Sequence, residues 1–378
     1  MRKLFDASAR YVRESDMFLL ATCLVCSIFG AVLISSAARV YNGSHLAVQV
    51  LAIVLGIVIY ILTSLVDIDL IADKYKLLFV IGALFLLTLI WGVEGDSGNR
   101  AWHRFAGIGI QPAEVVKILF IIILAQMISE KRDRRALNAP ASILSLFGVF
   151  AAYFVIIVVV SRDLGSALVY LFIMLAMLFI GGVSMRWFAL GLGAVAASAP
   201  LLWRFFLTDR QKLRVQVLFD ASLAATEGLD TLWQTNQSKL AISAGEFLGQ
   251  GLFNGRMTKT DIIPQQHTDF IFSAAGEELG FVGCIFIMLL LSALIVRCFY
   301  VGVKANNTLG RLVCTGVAAT LIFQTLENIG MCLGLTPVIG LTLPFFSYGG
   351  TSIVTSFAMM GLVSGVKMRP RPASYRNM

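Results

Sequence analysis

The chain has 378 residues, of which 58% are hydrophobic and only 14% are charged. Ordinary soluble domains carry about 25% charged residues. The apolar residues lie in long uncharged blocks such as 17–38, 46–66 and 141–160, and a helix of about 20 residues crosses the roughly 30 Å of hydrocarbon in a bilayer. The composition therefore excludes a water-soluble globule and predicts an all-α polytopic membrane protein.

Ten apolar blocks bounded by charges predict about ten transmembrane helices within a single membrane domain over 1–378. The blocks lie near 17–38, 46–66, 76–93, 113–128, 141–160, 164–183, 187–206, 272–297, 310–333 and 349–366. With an even count of spans, both termini lie on the same side of the membrane. We expect that side to be the cytoplasm.

The distribution of charge supports this orientation and bears on the choice of partner. A formal net charge of +8 is also typical of proteins that bind nucleic acid. Here, however, eighteen of the 30 basic residues fall on the segments predicted to be cytoplasmic, together with eight of the 22 acidic residues. This asymmetry follows the positive-inside rule. The basic excess therefore faces anionic lipid headgroups, and no nucleic-acid partner is predicted.

One long segment, residues 207–271, separates the seventh and eighth predicted spans on the external side. It is too polar to cross the membrane, and loops of this length are usually functional or disordered. Apolar positions in 232–247 predict a surface helix at the membrane interface. The loop then leads to Asp269, which directly precedes the eighth span.

Asp269 has two interpretations. Apolar neighbours such as Phe270 would desolvate its carboxylate, raise its pKa and suit it to act as a general base. Alternatively, it caps the helix of the eighth span, a position that aspartate favours. His267 is a second candidate base in the same segment.

Other ionisable groups lie near the same predicted membrane face. Glu114 and Lys117 share one helix face at the start of the fourth span, and they either neutralise each other or contact a substrate. Asp163 either caps the sixth span or has a further role. Trp102 lies beside Arg100 and Arg104, a cluster that either anchors the chain at the interface or contacts a lipid headgroup or pyrophosphate.

Three classes of function remain open on these residues: a membrane enzyme acting on a lipid-linked substrate at the external face, a transporter or flippase, and a structural scaffold. Transporters place ionisable groups near the bilayer midplane. Here most of them gather toward the external side, and Glu327 and Asn328 are the main polar residues deep in a span. The pattern favours an enzyme.

Taken together, several short motifs in order resemble the SEDS family (shape, elongation, division and sporulation), which includes RodA, FtsW and SpoVE. The resemblance runs from the first span to the last. The motifs lie at 111–117, 163–165, 237–242, 267–272, 276–280, 328–331 and 343–352. The short tails are more typical of RodA-type elongation proteins than of FtsW-type division proteins.

The resemblance implies a peptidoglycan glycosyltransferase that polymerises lipid II at the outer face of the cytoplasmic membrane. The family's essential loop aspartate falls on Asp269, which would deprotonate the 4-hydroxyl of the acceptor sugar. Cationic side chains or a bound Mg²⁺ or Mn²⁺ would stabilise the pyrophosphate leaving group. The candidate cations are Arg100, Arg104, Lys117, Arg210 and Lys239.

The implied partners are a class B penicillin-binding protein with transpeptidase activity and other membrane proteins of the elongation complex. Within the family, a lipid II flippase and a non-catalytic scaffold are the alternative roles. The chain departs from the usual family pattern at Ala113, at Ser161 and Arg162, at Arg100 and at Gln250. These departures affect the expected set of cations around the pyrophosphate and leave Asp269 in place.

Overall fold

A computed structural model describes residues 11–39, 44–94, 99–105, 108–205 and 229–369, together with residues 212 and 216. Its helices are α1 (Met17–Ala37), α2 (Ser44–Leu65), α3 (Ile68–Ala72), α4 (Tyr75–Leu87), α5 (Pro112–Asp133), α6 (Pro140–Ile156), α7 (Leu164–Gly181), α8 (Met185–Phe205), α9 (Leu229–Ala244), α10 (Arg256–Lys259), α11 (Ile271–Lys304), α12 (Thr308–Cys332) and α13 (Gly350–Met368). A 3₁₀ turn, Thr88–Trp91, continues α4, and a π-helical turn, Ile157–Ser161, continues α6.

The prediction of an all-α membrane protein is confirmed. Eight helices in the described part of the chain are long and apolar enough to cross a membrane, namely α1, α2, α5, α6 with its extension, α7, α11, α12 and α13. The segment Tyr75–Trp91 is a shorter apolar helix, and α8 contains Pro200. The count of ten crossings and the side on which each loop lies stay predictions.

The centre of the bundle is formed by α5, α12 and α13. In the most apolar stretch of α13, 83% of the residues are buried inside the protein, whereas in the corresponding stretch of α2 the share is 28%. The two helices nevertheless pack closely along each other. At Gly361 their backbones are so near that an added Cβ atom would lie 2.5 Å from the Tyr60 carbonyl oxygen. Small residues permit such close approach between membrane helices. The most buried helices are those that carry the polar residues described below.

One end of the bundle is joined through Asp16, which caps α1 by accepting a hydrogen bond from the Leu19 amide (3.2 Å). Its Oδ2 lies 2.8 Å from Nε of Arg297 in α11 and 3.8 Å from Nζ of Lys367 in α13. The Tyr60 hydroxyl of α2 donates to the backbone carbonyl oxygen of Asp16 (3.0 Å). This fully buried aspartate therefore connects four helices.

At the opposite end, a two-stranded antiparallel hairpin precedes α5. Its strands are β1 (His103–Phe105) and β2 (Ile108–Ile110), with Arg104 paired with Gly109. The Thr351 hydroxyl at the start of α13 donates to the Gly109 carbonyl oxygen (2.8 Å). The hairpin is thereby held against the first turn of α13.

The long loop before α11 is built into that helix. Gly280 interrupts α11 with φ 64° and ψ −162°, a conformation that glycine adopts without steric cost. The loop fills the interruption, since the amides of Gln250 and Gly251 donate to the carbonyls of Glu277 and Glu278, both at 3.0 Å. The amide of Phe281 in turn donates to a carbonyl of the loop. The segment that leads to Asp269 is therefore tied to a membrane helix.

The predicted surface helix over 232–247 is observed as α9, Leu229–Ala244. It packs against α11 and α12. The Ser238 hydroxyl contacts the Ser273 hydroxyl of α11 and donates to the Cys332 carbonyl of α12 (2.7 Å). The helix is confirmed, and its position at the membrane interface stays a prediction.

Candidate active site

Asp269 lies in a turn directly before α11. The amides of Thr268 and Asp269 both donate to the Gln265 carbonyl at 3.1 Å. The N-cap position of α11 is occupied by Phe270. The interpretation of Asp269 as the cap of this helix is therefore wrong, and its carboxylate serves another purpose.

Asn328 of α12 binds the backbone of this turn. Its side-chain nitrogen donates to two carbonyl oxygens, those of Asp269 and Leu341, each at 2.7 Å. Gly340 lies on the facing segment with φ 71°, and a Cβ atom there would lie 3.2 Å from Asp269 Oδ2. The residue that the Asp269 carboxylate faces is therefore a glycine, so no side chain from Gly340 covers it.

Two further bonds join the same pair of segments. The Ser347 hydroxyl donates to the Thr268 carbonyl (2.6 Å), and the Tyr348 amide donates to the His267 carbonyl (2.9 Å). The turn that carries Asp269 is therefore fixed between α12 and the chain that enters α13. Such support is what a group that must act on a substrate needs.

The surroundings of Asp269 favour the neutral form of its carboxyl group. Burial raises the pKa of Asp269 to about 6, with a further contribution from the negative charge of Asp163, while the Thr268 hydroxyl acts in the opposite direction. Neither aspartate forms a salt bridge with a described residue. A carboxylate with a pKa near the working pH suits general-base catalysis.

Asp163 caps α7, as one of its two interpretations predicted. Its Oδ1 accepts from the Ser166 amide (2.9 Å), and its Oδ2 accepts from the Ser166 hydroxyl (2.7 Å) and from Gln111 Nε2 (3.2 Å). Burial raises the pKa of Asp163, although these hydrogen bonds favour its charged form. Asp163 therefore has a structural role and also acts electrostatically on Asp269.

Glu114 and Lys117 form a pair inside the bundle. Lys117 Nζ lies 2.7 Å from Glu114 Oε1, and the Lys117 and Glu114 side chains are only 1% and 7% exposed, respectively. Gln324 of α12 donates to the same carboxylate (3.5 Å), as does Thr355 of α13 (3.3 Å). The pair thus links three helices, and contact with a substrate stays a prediction for both residues.

His267 is buried in a group of rings. Its ring centroid lies 5.1 Å from that of His45 and 5.7 Å from that of Tyr348. Burial lowers the pKa of His267 to about 4, and the nearby His45 contributes in the same direction. His267 is therefore neutral near pH 7 and a weaker base than Asp269.

The cations near this end are dispersed. Arg100 lies 3.6 Å from the Glu94 carboxylate, and Arg162 lies 3.9 Å from the other oxygen of the same carboxylate. Arg104 is exposed on β1, and the Lys239 amine lies near Gly334. Sequence reasoning missed Arg162 as a candidate cation, although it directly precedes Asp163.

Trp102 and Arg210 are the remaining predicted positions. The Trp102 ring packs on Gly109 of the hairpin, where an added Cβ atom would lie 3.1 Å from the ring, so this residue has a structural contact. Arg210 lies outside the described residues. The structure therefore brings only part of the sequence-based set close to Asp269. It adds the contacts of Asn328, known from the sequence only as a polar residue deep in a span, and of Gly340.

The carboxylates near Asp269 bear on whether a divalent cation could bind there. Within the described ranges, no group of three or more His, Cys, Asp or Glu side chains is placed to hold a metal ion. Mg²⁺ usually binds through one or two carboxylates, substrate phosphates and water. Asp269 and Asp163 fit that pattern if a substrate pyrophosphate supplies further ligands.

A family model described as cell cycle protein, for FtsW, RodA and SpoVE, matches residues 16–371. The chain belongs to this family. A probable peptidoglycan glycosyltransferase FtsW from Trichlorobacter lovleyi is 33% identical, covering 94% of this chain and 95% of the relative. The peptidoglycan glycosyltransferase MrdB from Escherichia coli K12 is 29% identical, with 93% of each chain covered.

Solved structures support the same assignment. A chain from a structure described as "Structural coordination of polymerization and crosslinking by a peptidoglycan synthase complex" is 28% identical, with a TM-score of 0.80 over 93% of this chain and 97% of the other. The rod shape determining protein RodA from Thermus thermophilus is also 28% identical, with a TM-score of 0.68 over 93% of this chain and 96% of RodA. Family membership and the eight apolar helices identify a multi-pass protein of the bacterial cytoplasmic membrane.

Proposed function

We propose that this SEDS protein is a peptidoglycan glycosyltransferase that polymerises lipid II into glycan strands at the outer face of the cytoplasmic membrane, with Asp269 as the general base. The observation that carries the proposal is the Asp269 carboxylate, which faces Gly340 and has a pKa raised to about 6, on a turn whose Asp269 backbone carbonyl is held by Asn328. The names of the relatives, which are peptidoglycan glycosyltransferases, support the same reaction class.

In the proposed reaction, Asp269 accepts the proton of the acceptor sugar's 4-hydroxyl. That oxygen forms a bond to the anomeric carbon of the donor strand, and the bond between this carbon and the pyrophosphate oxygen breaks. Undecaprenyl pyrophosphate leaves with the bonding electrons. The Asp163 charge makes the Asp269 carboxylate a stronger base, because a neighbouring negative charge raises a carboxyl pKa.

The leaving pyrophosphate needs positive charge nearby. Arg100, Arg104, Arg162 and Lys239 are the candidates with access to solvent, whereas Lys117 is buried and paired with Glu114. A Mg²⁺ or Mn²⁺ ion bound to the pyrophosphate would supply Lewis-acid stabilisation of the leaving group. Asp269 and Asp163 are the described carboxylates that would hold such an ion.

The role we propose is cell elongation and rod shape, and the support is the likeness to MrdB of Escherichia coli K12 and to the rod shape determining protein RodA of Thermus thermophilus. The relatives carry names from both branches, FtsW and MrdB. The proposed partners are a class B penicillin-binding protein, which would cross-link the new strands, and other elongation-complex membrane proteins. Depletion in a rod-shaped host distinguishes the branches, because we expect rounded cells, and long filaments would assign the protein to division.

The reaction itself is tested by reconstitution with lipid II and the cognate transpeptidase. We expect the wild-type protein to form glycan polymer, and the Asp269→Asn variant, folded and bound to its partner, to form none. Glu246→Gln is the matched control, because Glu246 is an exposed carboxylate of the same long loop. It should polymerise lipid II like the wild type.

Three outcomes would overturn the proposal or its assignment of Asp269. Normal glycan strands from the Asp269→Asn variant would exclude this residue as the base. If the wild type made no polymer but moved labelled lipid II across vesicle membranes, the protein would be a flippase. Neither activity in a folded complex would indicate a scaffold.

A further inference from the structure

A cavity of 520 Å³ lies at the end of the bundle opposite Asp269, between the α5–α6 connection and the end of α7. Its lining residues are Arg132, Arg135, Ala136, Leu137, Asn138, Ala139, Gly181 and Gly182. The volume falls within the range of ordinary ligand pockets. We propose that this cavity binds the headgroup of an anionic phospholipid of the cytoplasmic leaflet.

The first observation that supports an anionic ligand is the positive charge of the cavity lining. Arg132 and Arg135 line it and are exposed, and neither forms a salt bridge with a described residue. The nearby Glu130 carboxylate accepts a hydrogen bond from Gln126 (3.1 Å), and Asp133 is exposed but does not line the cavity. Two guanidinium groups without carboxylate partners match a phosphodiester, because arginine binds phosphate with a planar fork of donors.

The backbone that presents these arginines is fixed. Arg135 has φ 54° at the end of α5, and its amide donates to the Arg132 carbonyl (2.9 Å). Glycine is the usual residue at such a left-handed helix end, so an arginine there is held at a conformational cost. Asn138 completes the loop, since its Oδ1 accepts from the Ser184 amide (2.7 Å) and its carbonyl accepts from Trp187 Nε1 (3.2 Å). The pocket is therefore preformed.

The surface beside the cavity favours a lipid over a free phosphate ion. Large apolar side chains are exposed next to Gly181 and Gly182, namely Phe179, Ile180 and Met185. An acyl chain would cover them while the headgroup phosphate lies between the arginines. Trp187, whose indole donates into the loop, is the residue type that marks the membrane–water interface. Basic pockets between membrane helices are known to bind anionic headgroups on the cytoplasmic side.

The test uses the full-length protein in vesicles that contain a photoactivatable phosphatidylglycerol, with cross-linked peptides mapped by mass spectrometry. We expect labelling within 132–139 and 179–188 that unlabelled phosphatidylglycerol suppresses and phosphatidylcholine does not. The double variant Arg132→Gln/Arg135→Gln should lose at least about tenfold of this labelling, since it removes both charged donors that would bond the phosphate. Arg134→Gln is the matched control, because it removes one charge from the same turn without lining the cavity.

A second variant separates binding from folding. Ala139 lines the cavity and is the N-cap of α6, a position that aspartate and serine both favour. Ala139→Asp should preserve or raise the melting temperature while the added negative charge reduces labelling. Ala139→Ser should preserve both.

The proposal is overturned by any of three results. Labelling that Arg134→Gln reduces as much as the double variant would indicate a diffuse basic surface. Labelling unchanged in both the double variant and Ala139→Asp would place the lipid elsewhere. Suppression of the labelling by inorganic phosphate alone, at concentrations that leave the protein folded in the vesicles, would indicate a site for a free anion.

Discussion

Two buried aspartates at opposite ends of the bundle differ in the charges that surround them. Asp16 has two cations, Arg297 and Lys367, within 4 Å of its carboxylate. Asp269 has as its electrostatic neighbour another carboxylate, Asp163, and burial raises its pKa to about 6. The first aspartate stabilises contacts among helices, whereas the second has no salt bridge with a described residue, which is the state that the proposed general base requires.

The difference follows from the distribution of charge across the membrane. The predicted cytoplasmic segments hold eighteen of the 30 basic residues, so a carboxylate at that end has cations within reach. The opposite end has fewer of them, and there Arg100 and Arg162 face Glu94. The asymmetry on which the predicted orientation rests thus also leaves Asp163 and Asp269 without a salt bridge among the described residues.

The largest expected effect concerns the chemistry. Asp269→Asn should reduce lipid II polymerisation by about 10²–10⁴-fold, the usual contribution of a general base. It should not lower the melting temperature, because the variant removes a buried charge that has no cation partner among the described residues. Asp16→Asn should retain polymerisation at a temperature where it is folded. Equal losses of activity in the two variants would contradict the comparison.

The next effect concerns stability. Asp16→Asn keeps the capping oxygen but leaves Arg297 and Lys367 without their counter-charge, so it should lower the free energy of unfolding by about 2–3 kcal/mol. The measurement is a thermal melt of the purified protein in detergent, with Asp67→Asn as control. Asp67 is exposed and lies 3.8 Å from Arg369, and an exposed pair contributes little. A melting temperature unchanged by Asp16→Asn would show that the cluster is dispensable.

A smaller effect is expected from the residue that holds the turn. Asn328→Ala removes two donors from buried carbonyls and should reduce kcat about tenfold, with no change in the acid limb of the pH profile. Asn328→Asp adds a negative charge near Asp269. It should lower kcat in the same way and also move the acid limb of the pH profile to higher pH. Identical pH profiles for the two variants would exclude electrostatic contact between this position and Asp269.

The smallest effect is a shift in pH dependence. Polymerisation should rise with pH through about 6, as Asp269 loses its proton, and level off above that value. Asp163→Asn removes the like charge while preserving a good helix cap, so the limb should move to lower pH by less than about one unit. The pH dependence of kcat/KM measures this shift, and a move to higher pH would contradict it.

The fold class could be predicted because apolar blocks of sufficient length have one stable arrangement in lipid, a helix whose backbone bonds are internal. The break at Gly280 could not be predicted in this way. Its residues lie inside a block that hydropathy predicts as one span, and the loop amides that satisfy the freed carbonyls of Glu277 and Glu278 come from Gln250 and Gly251, 27 positions earlier in the chain. Hydropathy records the length of a helix but not the partner that interrupts it.

For the candidate site, Asp269 could be proposed from the sequence, because an acidic residue beside an apolar span is costly and the resemblance to the SEDS family favoured the general base over the helix cap. Two open alternatives needed coordinates. Asp269 is not the cap of α11, since Phe270 holds that position, whereas Asp163 does cap α7. Capping depends on backbone angles at one residue, which similar local sequences do not distinguish.

By itself, the sequence determined that this is a helical membrane protein with one long loop, and it predicted the orientation and proposed Asp269 as the general base. Those properties depend on composition and on the order of residues along the chain. The tertiary structure decided which charges are neutralised: Asp16 by Arg297 and Lys367, and Glu114 by Lys117, while Asp269 faces Gly340 and Asp163. The physical reason is that electrostatic energy depends on distance and burial, and residues as far apart in the chain as Asp16 and Arg297 meet only when the helices pack.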